Sequence, residues 1–190
     1  MLTQLKKCVK NEKNNKAIFD IVLFGSTVKG KQAPGDTDIA VIFNYGTLAE
    51  RLEKVQEIKN RIRKKCGEEI NLDIKPYLLK DLFDYSFFGR TGIFLEGISL
   101  LEEKPFSRKI GFKAYSLFTY TLIEKKQREK VRFTHLLSGR NGMKGILKDL
   151  NGERLVSGAV KIPIEKSIEF EDVLQMHKIN YKKKNILEEI

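Results

Sequence analysis

The stretch that most constrains this chain lies between Lys16 and Phe43. A mostly apolar run ends in Gly25-Ser26, nine residues follow (27–35), and Asp36-Thr37-Asp38 opens a second apolar run. "KAIFDIVLFG" (16–25) is rich in β-branched and aromatic residues and stops at a glycine, which predicts a buried strand. "DTDIAVIF" (36–43) predicts a second. In an extended chain, residues two apart share a face. Asp36 and Asp38 therefore project together, and Ile39, Val41 and Phe43 project the other way, toward a core. Two like charges this close repel unless a cation sits between them. Carboxylate oxygens in this arrangement suit Mg²⁺, which takes one or two carboxylates together with waters and phosphate oxygens.

The residues on either side extend the pattern. Gly25 allows a ligand to approach the backbone closely. Ser26 is expected to cap a short helix in "STVKG", whose free N–H groups suit the phosphates of a nucleotide. Lys29 adds positive charge one turn on. A third acid, Asp73, lies in "EEINLDIKPYLL" (68–79), where Ile70, Leu72 and Ile74 alternate with Asn71, Asp73 and Lys75. If that strand neighbours the second, three carboxylates converge, a set able to hold two metal ions for in-line transfer at phosphorus. Each part alone is weak evidence. Asp36 after Pro34-Gly35 also suits a turn. The ordered combination is far more specific.

The rest of the chain predicts a mixed α/β (α+β) architecture. Residues 2–15 read as a polar, weakly amphipathic helix. Residues 45–67 are the clearest helix, with Leu48, Leu52, Val55, Ile58 and Ile62 at helical spacing, Thr47 as cap and Gly67 as stop. Short helices are expected in 80–97, a short strand at 98–103 and a boundary at Pro105. Residues 107–130, carrying Ile110, Tyr115, Leu117, Phe118, Leu122 and Ile123, read as another helix. "LSGRNGMKG" (137–145) reads as a loop or hairpin and lacks the Gly-Lys-Ser/Thr ending of a phosphate loop. A strand (158–163), a helix (165–178) and a strand (179–187) close the chain. The expected fold is a mixed sheet flanked by helices, with domains at 1–105 and 106–190, the second a small basic α/β module.

Gly-Ser, nine residues, Asp-x-Asp and a later acid on an alternating strand resemble the nucleotidyltransferase superfamily that includes DNA polymerase beta. The similarity spans residues 16–103 and is strongest to the small minimal nucleotidyltransferases of archaea and bacteria. The resemblance implies a nucleoside triphosphate donor such as ATP, two Mg²⁺ ions (with Mn²⁺ as a substitute) and release of pyrophosphate. It implies that Gly25, Ser26 and Lys29 bind the triphosphate and that Asp36, Asp38 and Asp73 are catalytic metal ligands. Asp73 would also help deprotonate an acceptor hydroxyl. Small members often have Ser-Phe-Ala-Arg-Gly where this chain has Ser26-Thr27-Val28-Lys29-Gly30. Lysine keeps the charge and loses the bidentate fork. Thr37 replaces the commoner Ile or Leu between the acids.

Charge bears on the acceptor. The net charge is +11, and residues 104–148 hold 12 Lys/Arg against Glu124 and Glu129. Such a segment predicts contact with an anionic partner, RNA (tRNA included) or DNA. The alternative is a protein acceptor, as in AMPylating nucleotidyltransferases of toxin–antitoxin type. A further alternative is a non-catalytic nucleic-acid-binding module, against which the intact Asp36, Asp38 and Asp73 argue. Tyr115, Phe118, Tyr120 and Phe133 interleave with basic residues, so base stacking is weighed against a core role. Arg140 and Lys144 are candidate nucleic-acid contacts, and His135 and His177 lie outside any ligand spacing. No run of 18 apolar residues is present, and Cys8 and Cys66 form neither a metal spacing nor a disulfide framework. A cytoplasmic protein with reduced thiols and no membrane association is expected.

Overall fold

The two apolar runs pair as the central strands of a sheet. The computed structural model describes residues 2–28, 36–67, 70–140 and 142–190. They form two compact units, Met1–Gly111 and Phe112–Ile190. The first comprises α1 (Leu2–Val9), β1 (Ile18–Phe24), β2 (Thr37–Phe43), α2 (Leu48–Cys66), β3 (Leu72–Leu78), α3 (Arg90–Glu96), β4 (Ile98–Ser99) and α4 (Phe106–Lys109). Among the described residues its sheet has the order β3-β2-β1-β4. The β1–β2 and β1–β4 pairs are antiparallel and the β2–β3 pair is parallel. A parallel neighbour requires a crossover, and α2 supplies it.

Both faces of this sheet are covered. Ile21, Leu23, Ile39, Val41, Phe43 and Leu72 pack against Leu5 and Val9 of α1 and Val55, Ile58 and Ile62 of α2. Val22, Ala40 and Ile42 pack on the other face with Leu82, Ile93 and Phe106. Each fully buried Ile or Leu contributes about 1.5–3 kcal/mol, so these strands anchor the unit. Helix α2 starts where Thr47 predicts. Glu50 N–H donates to Thr47 Oγ1 at 3.3 Å, and Thr47 N–H donates to Glu50 Oε2 at 2.7 Å. It stops at Gly67, whose φ of 99° is a left-handed value that favours glycine. Leu48 and Leu52, expected on the buried face, are more than half exposed or nearly so (58% and 50%). Cys8 and Cys66, distant in sequence, are neighbours with free thiols whose Sγ atoms lie 3.6 Å apart.

The second unit corrects one expectation. Residues 107–130 are not a helix: β5 (Phe112–Thr121) occupies their middle. Ala114, Ser116 and Phe118 are buried at a period of two. Phe118 is fully enclosed, 5.0 Å from Phe170 ring to ring, and Phe133 is in the same core, so neither is available to stack a base. The apparent 3.6-residue spacing arose from reading both faces of a central strand as one. The helix falls later, as α5 (Gln127–Ser138), where Glu129 accepts the Lys126 N–H at 2.9 Å. There follow β6 (Gly139–Arg140) and β7 (Met143–Lys144) as a hairpin, then α6 (Ile146–Asp149), β8 (Glu153–Val156), β9 (Ala159–Pro163), α7 (Ser167–Met176) and β10 (Asn180–Glu189). The larger sheet has the order β10-β5-β9-β8, so β5 lies between the two strands of the C-terminal βαβ-like stretch. The units divide after Gly111 rather than at Pro105, because Phe106 is fully buried in the first unit's core. No helix among the described residues is long and apolar enough to cross a membrane.

Candidate active site

Strand register brings the acids together. Asp38 stands directly opposite Phe24 on β1 and directly opposite Asp73 on β3. Gly25 follows Phe24 with φ of 78°, a conformation natural only to glycine here, and a Cβ at that position would run into the Asp38 carboxylate. The group that lies against the Gly25 backbone is the Asp38 carboxylate, where the sequence pattern predicts a ligand. Residues 25–27 form one 3-10 turn, closed by Val28 N–H donating to Gly25 O at 3.3 Å. Ser26 sits inside this turn instead of capping a helix, and the turn has no side-chain cap. Lys29 lies outside the described residues.

Asp36 precedes β2 and is exposed. Its backbone carbonyl accepts from Thr27 Oγ1 at 3.0 Å, which ties it to the Gly-Ser turn. Its carboxylate accepts from Asn71 Nδ2, and Thr37 N–H donates to Asn71 O at 2.8 Å. Asp73, partly exposed, is held by Lys75 Nζ at 2.7 Å from Oδ2. Thr27, Asn71 and Lys75 are thus the partners that sequence reasoning did not single out. The alternation in 68–79 put Asn71 and Lys75 on the Asp73 face, and only the register shows which acid each one meets.

Electrostatics report the convergence. Asp38 titrates above the ordinary carboxylate range, chiefly through burial, then through the negative charges of Asp73 and Asp36; Lys75 offsets part of this. Lys75 is held protonated to a higher pH by its hydrogen bond to Asp73. Burial raises the Tyr77 phenol, and Asp73 and Asp38 push it the same way while Lys75 opposes. Among the described residues no three His, Cys, Asp or Glu side chains stand as a ready-made metal cage, and Asn71 and Lys75 contact two of the acids. The donor set nonetheless fits a hard divalent cation: Asp38 and Asp73 on paired strand positions offer hard oxygens, and their like charges, with that of Asp36, repel unless a cation offsets them.

Residues 4–84 match the family model of polymerase beta nucleotidyltransferases. Over these residues the chain is similar to the nucleotidyltransferase domain of the polymerase beta superfamily. The mixed sheet flanked by helices is the architecture expected of that core. The match contains the Gly-Ser turn, Asp36, Asp38 and Asp73, all within the first unit. No curated protein matches the chain. Residues 85–190, outside the match, complete the nucleotidyltransferase unit with α3, β4 and α4 and make up the second unit.

Proposed function

We propose that the protein moves a nucleoside monophosphate from a nucleoside triphosphate to a hydroxyl acceptor and releases pyrophosphate, with a divalent metal ion. The observation that carries this reading is the direct cross-strand pairing of Asp38 with Asp73, with Asp36 two residues ahead and the Gly25 backbone against Asp38. Asp36, Asp38 and Asp73 would hold Mg²⁺ or Mn²⁺. When bound, such ions supply charge neutralisation at the transferring phosphoryl group. The turn at Gly25-Ser26, with Lys29, seats the triphosphate. Asp73 accepts the acceptor's hydroxyl proton as the new oxygen–phosphorus bond forms, and the bond to pyrophosphate breaks. Lys75 Nζ, 2.7 Å from Asp73 Oδ2, orients that carboxylate for the role.

The acceptor we favour is RNA, with tRNA as one form, or DNA. In the second unit, residues 112–148 hold nine Lys/Arg and two Glu, a charge balance suited to a phosphate backbone. The test uses labelled triphosphates with Mg²⁺ or Mn²⁺ and either total RNA or cell lysate. Label entering RNA is expected, and label entering protein would move the reading to a protein acceptor. Asp36→Asn and Asp38→Asn are each expected to lower transfer by at least about a hundredfold, as loss of a principal electrostatic group does. If no label moves with the unaltered protein, the enzymatic reading is lost.

A further inference from the structure

Phe88 is 99% exposed, and Tyr85 and Phe83 in the same segment are 87% and 66% exposed. A fully exposed phenylalanine gives folding no apolar burial, so folding does not account for it. The segment is nonetheless built. Ser86 N–H and Oγ both donate to Asp84 Oδ1 at 2.8 Å, Phe87 N–H donates to Asp84 O at 3.2 Å, and Arg90 N–H donates to Phe87 O at 3.3 Å. The Phe87 ring packs inward on Tyr77, with centroids 4.6 Å apart. A side chain at Gly89 would meet that ring 2.7 Å from Cζ, so glycine at 89 lets Phe87 turn in and leaves Phe88 out.

The position of this segment follows from its anchors. Tyr77, under Phe87, lies on β3 four residues beyond Asp73 and on the same face of the strand. Past Phe88, α3 begins at Arg90, and the position of a Cβ at Gly92 lies 3.6 Å from the Phe24 ring. Phe24 in turn stands opposite Asp38. Phe88 therefore lies in sequence between Phe87, packed on the Asp73 face of β3, and α3, packed on the residue opposite Asp38. An exposed aromatic face on a hydrogen-bonded segment is suited to stacking a nucleobase, since every base presents a π-face.

We propose that Phe88, with Tyr85 in the same segment, is the stacking platform for the base of the nucleoside triphosphate donor. This rests on the nucleotidyl-transfer reading above and adds to it the seat of the base, where the Gly-Ser turn addresses only the phosphates. Stacking of this kind tolerates any base and favours the purines' larger rings.

The chain contains no tryptophan, which supplies the test. Phe88→Trp introduces a single indole reporter on a surface where folding does not depend on the side chain. Titration with nucleoside triphosphates is expected to quench its fluorescence saturably. Phe88→Ala is expected to weaken triphosphate binding, followed by equilibrium dialysis, roughly tenfold. It should leave the affinity for inorganic tripolyphosphate, which has no base, unchanged. Ile123→Ala, another exposed apolar residue (83%), serves as the control and should change neither. Unchanged triphosphate affinity in Phe88→Ala overturns the platform, as does an equal loss for tripolyphosphate or an effect confined to acceptor or protein binding. If Asp38→Asn abolishes transfer while Phe88→Ala binds triphosphate normally, only the platform falls. If the unaltered protein binds neither triphosphate nor tripolyphosphate, the nucleotide reading falls as well.

Discussion

At Asp38, burial and the charges of Asp73 and Asp36 all disfavour the ionised carboxylate, and Lys75 opposes them. An acid raised in the folded state binds its proton more tightly there than in the unfolded chain. Its ionisation therefore costs stability as pH rises from the ordinary carboxylate range of about 4 toward neutrality. Asp38→Asn removes that cost. The variant should melt about 2–4 °C higher at pH 7, the gap should shrink toward pH 4, and thermal denaturation across that range checks it. Added Mg²⁺ should narrow the gap at pH 7 by stabilising the unaltered protein alone. Gly25 makes the opposite case. Alanine there meets both a left-handed φ and the Asp38 carboxylate, so Gly25→Ala should cost about 1–3 kcal/mol in urea denaturation. It should also weaken tripolyphosphate binding, which a purely structural defect at a distant site would not do.

Elements are fixed by a few polar ties as well as by apolar packing. Asp20 on β1 is fully buried, and burial raises it. It accepts from Ser99 Oγ of β4 at 2.8 Å and from the Ile21 N–H at 2.7 Å. Lys109 of α4 lies 3.2 Å from Oδ2, an ion pair without hydrogen-bond alignment, and its Nζ donates to Phe19 O at 2.7 Å. One ammonium thus fastens α4 to β1 and explains why the first unit continues past Pro105. Lys109→Met should cost about 3–5 kcal/mol, because it strands a buried carboxylate. Adding Asp20→Asn should recover part of that, and urea denaturation of the single and double variants measures the recovery. The misread helix at 107–130 belongs to this scale too. Phe112–Thr121 is flanked on both sides by hydrogen-bonded partners, β10 and β9. Those partners lie dozens of residues downstream, so no local window contains them.

Across the whole chain, the charge of +11 is unevenly used. Lys109 is spent inside the first unit, bridging Asp20 and Glu102. Lys126, Arg128 and Arg132 on or beside α5 are exposed, and Lys125 is half-buried. On the proposed nucleic-acid reading, RNA affinity falls linearly on a log–log plot against salt. Replacing Lys125, Lys126, Arg128 and Arg132 by Gln should reduce that slope by about 3, which a binding titration from low to moderate salt measures. A slope that does not change would place the phosphate contacts elsewhere.

The sequence alone determined which residues are candidates: Gly25-Ser26, Asp36, Asp38 and Asp73 stand out because strand period and residue type are local properties. It also determined the central strands and α2, whose apolar repeats and Thr47–Glu50 cap are complete within a few residues. Register, by contrast, depends on partners remote in the chain. Only the tertiary structure decided that Asp38 faces Asp73, that Asn71 and Lys75 hold the flanking acids, and that residues 112–121 are a strand. The same holds for the exposed aromatic segment. "DYSFFGR" reads as a turn-rich stretch like many others, and its position on the sheet follows from Phe87 on Tyr77 and α3 against Phe24. Short-range patterns set what each element is; long-range packing set which residues meet.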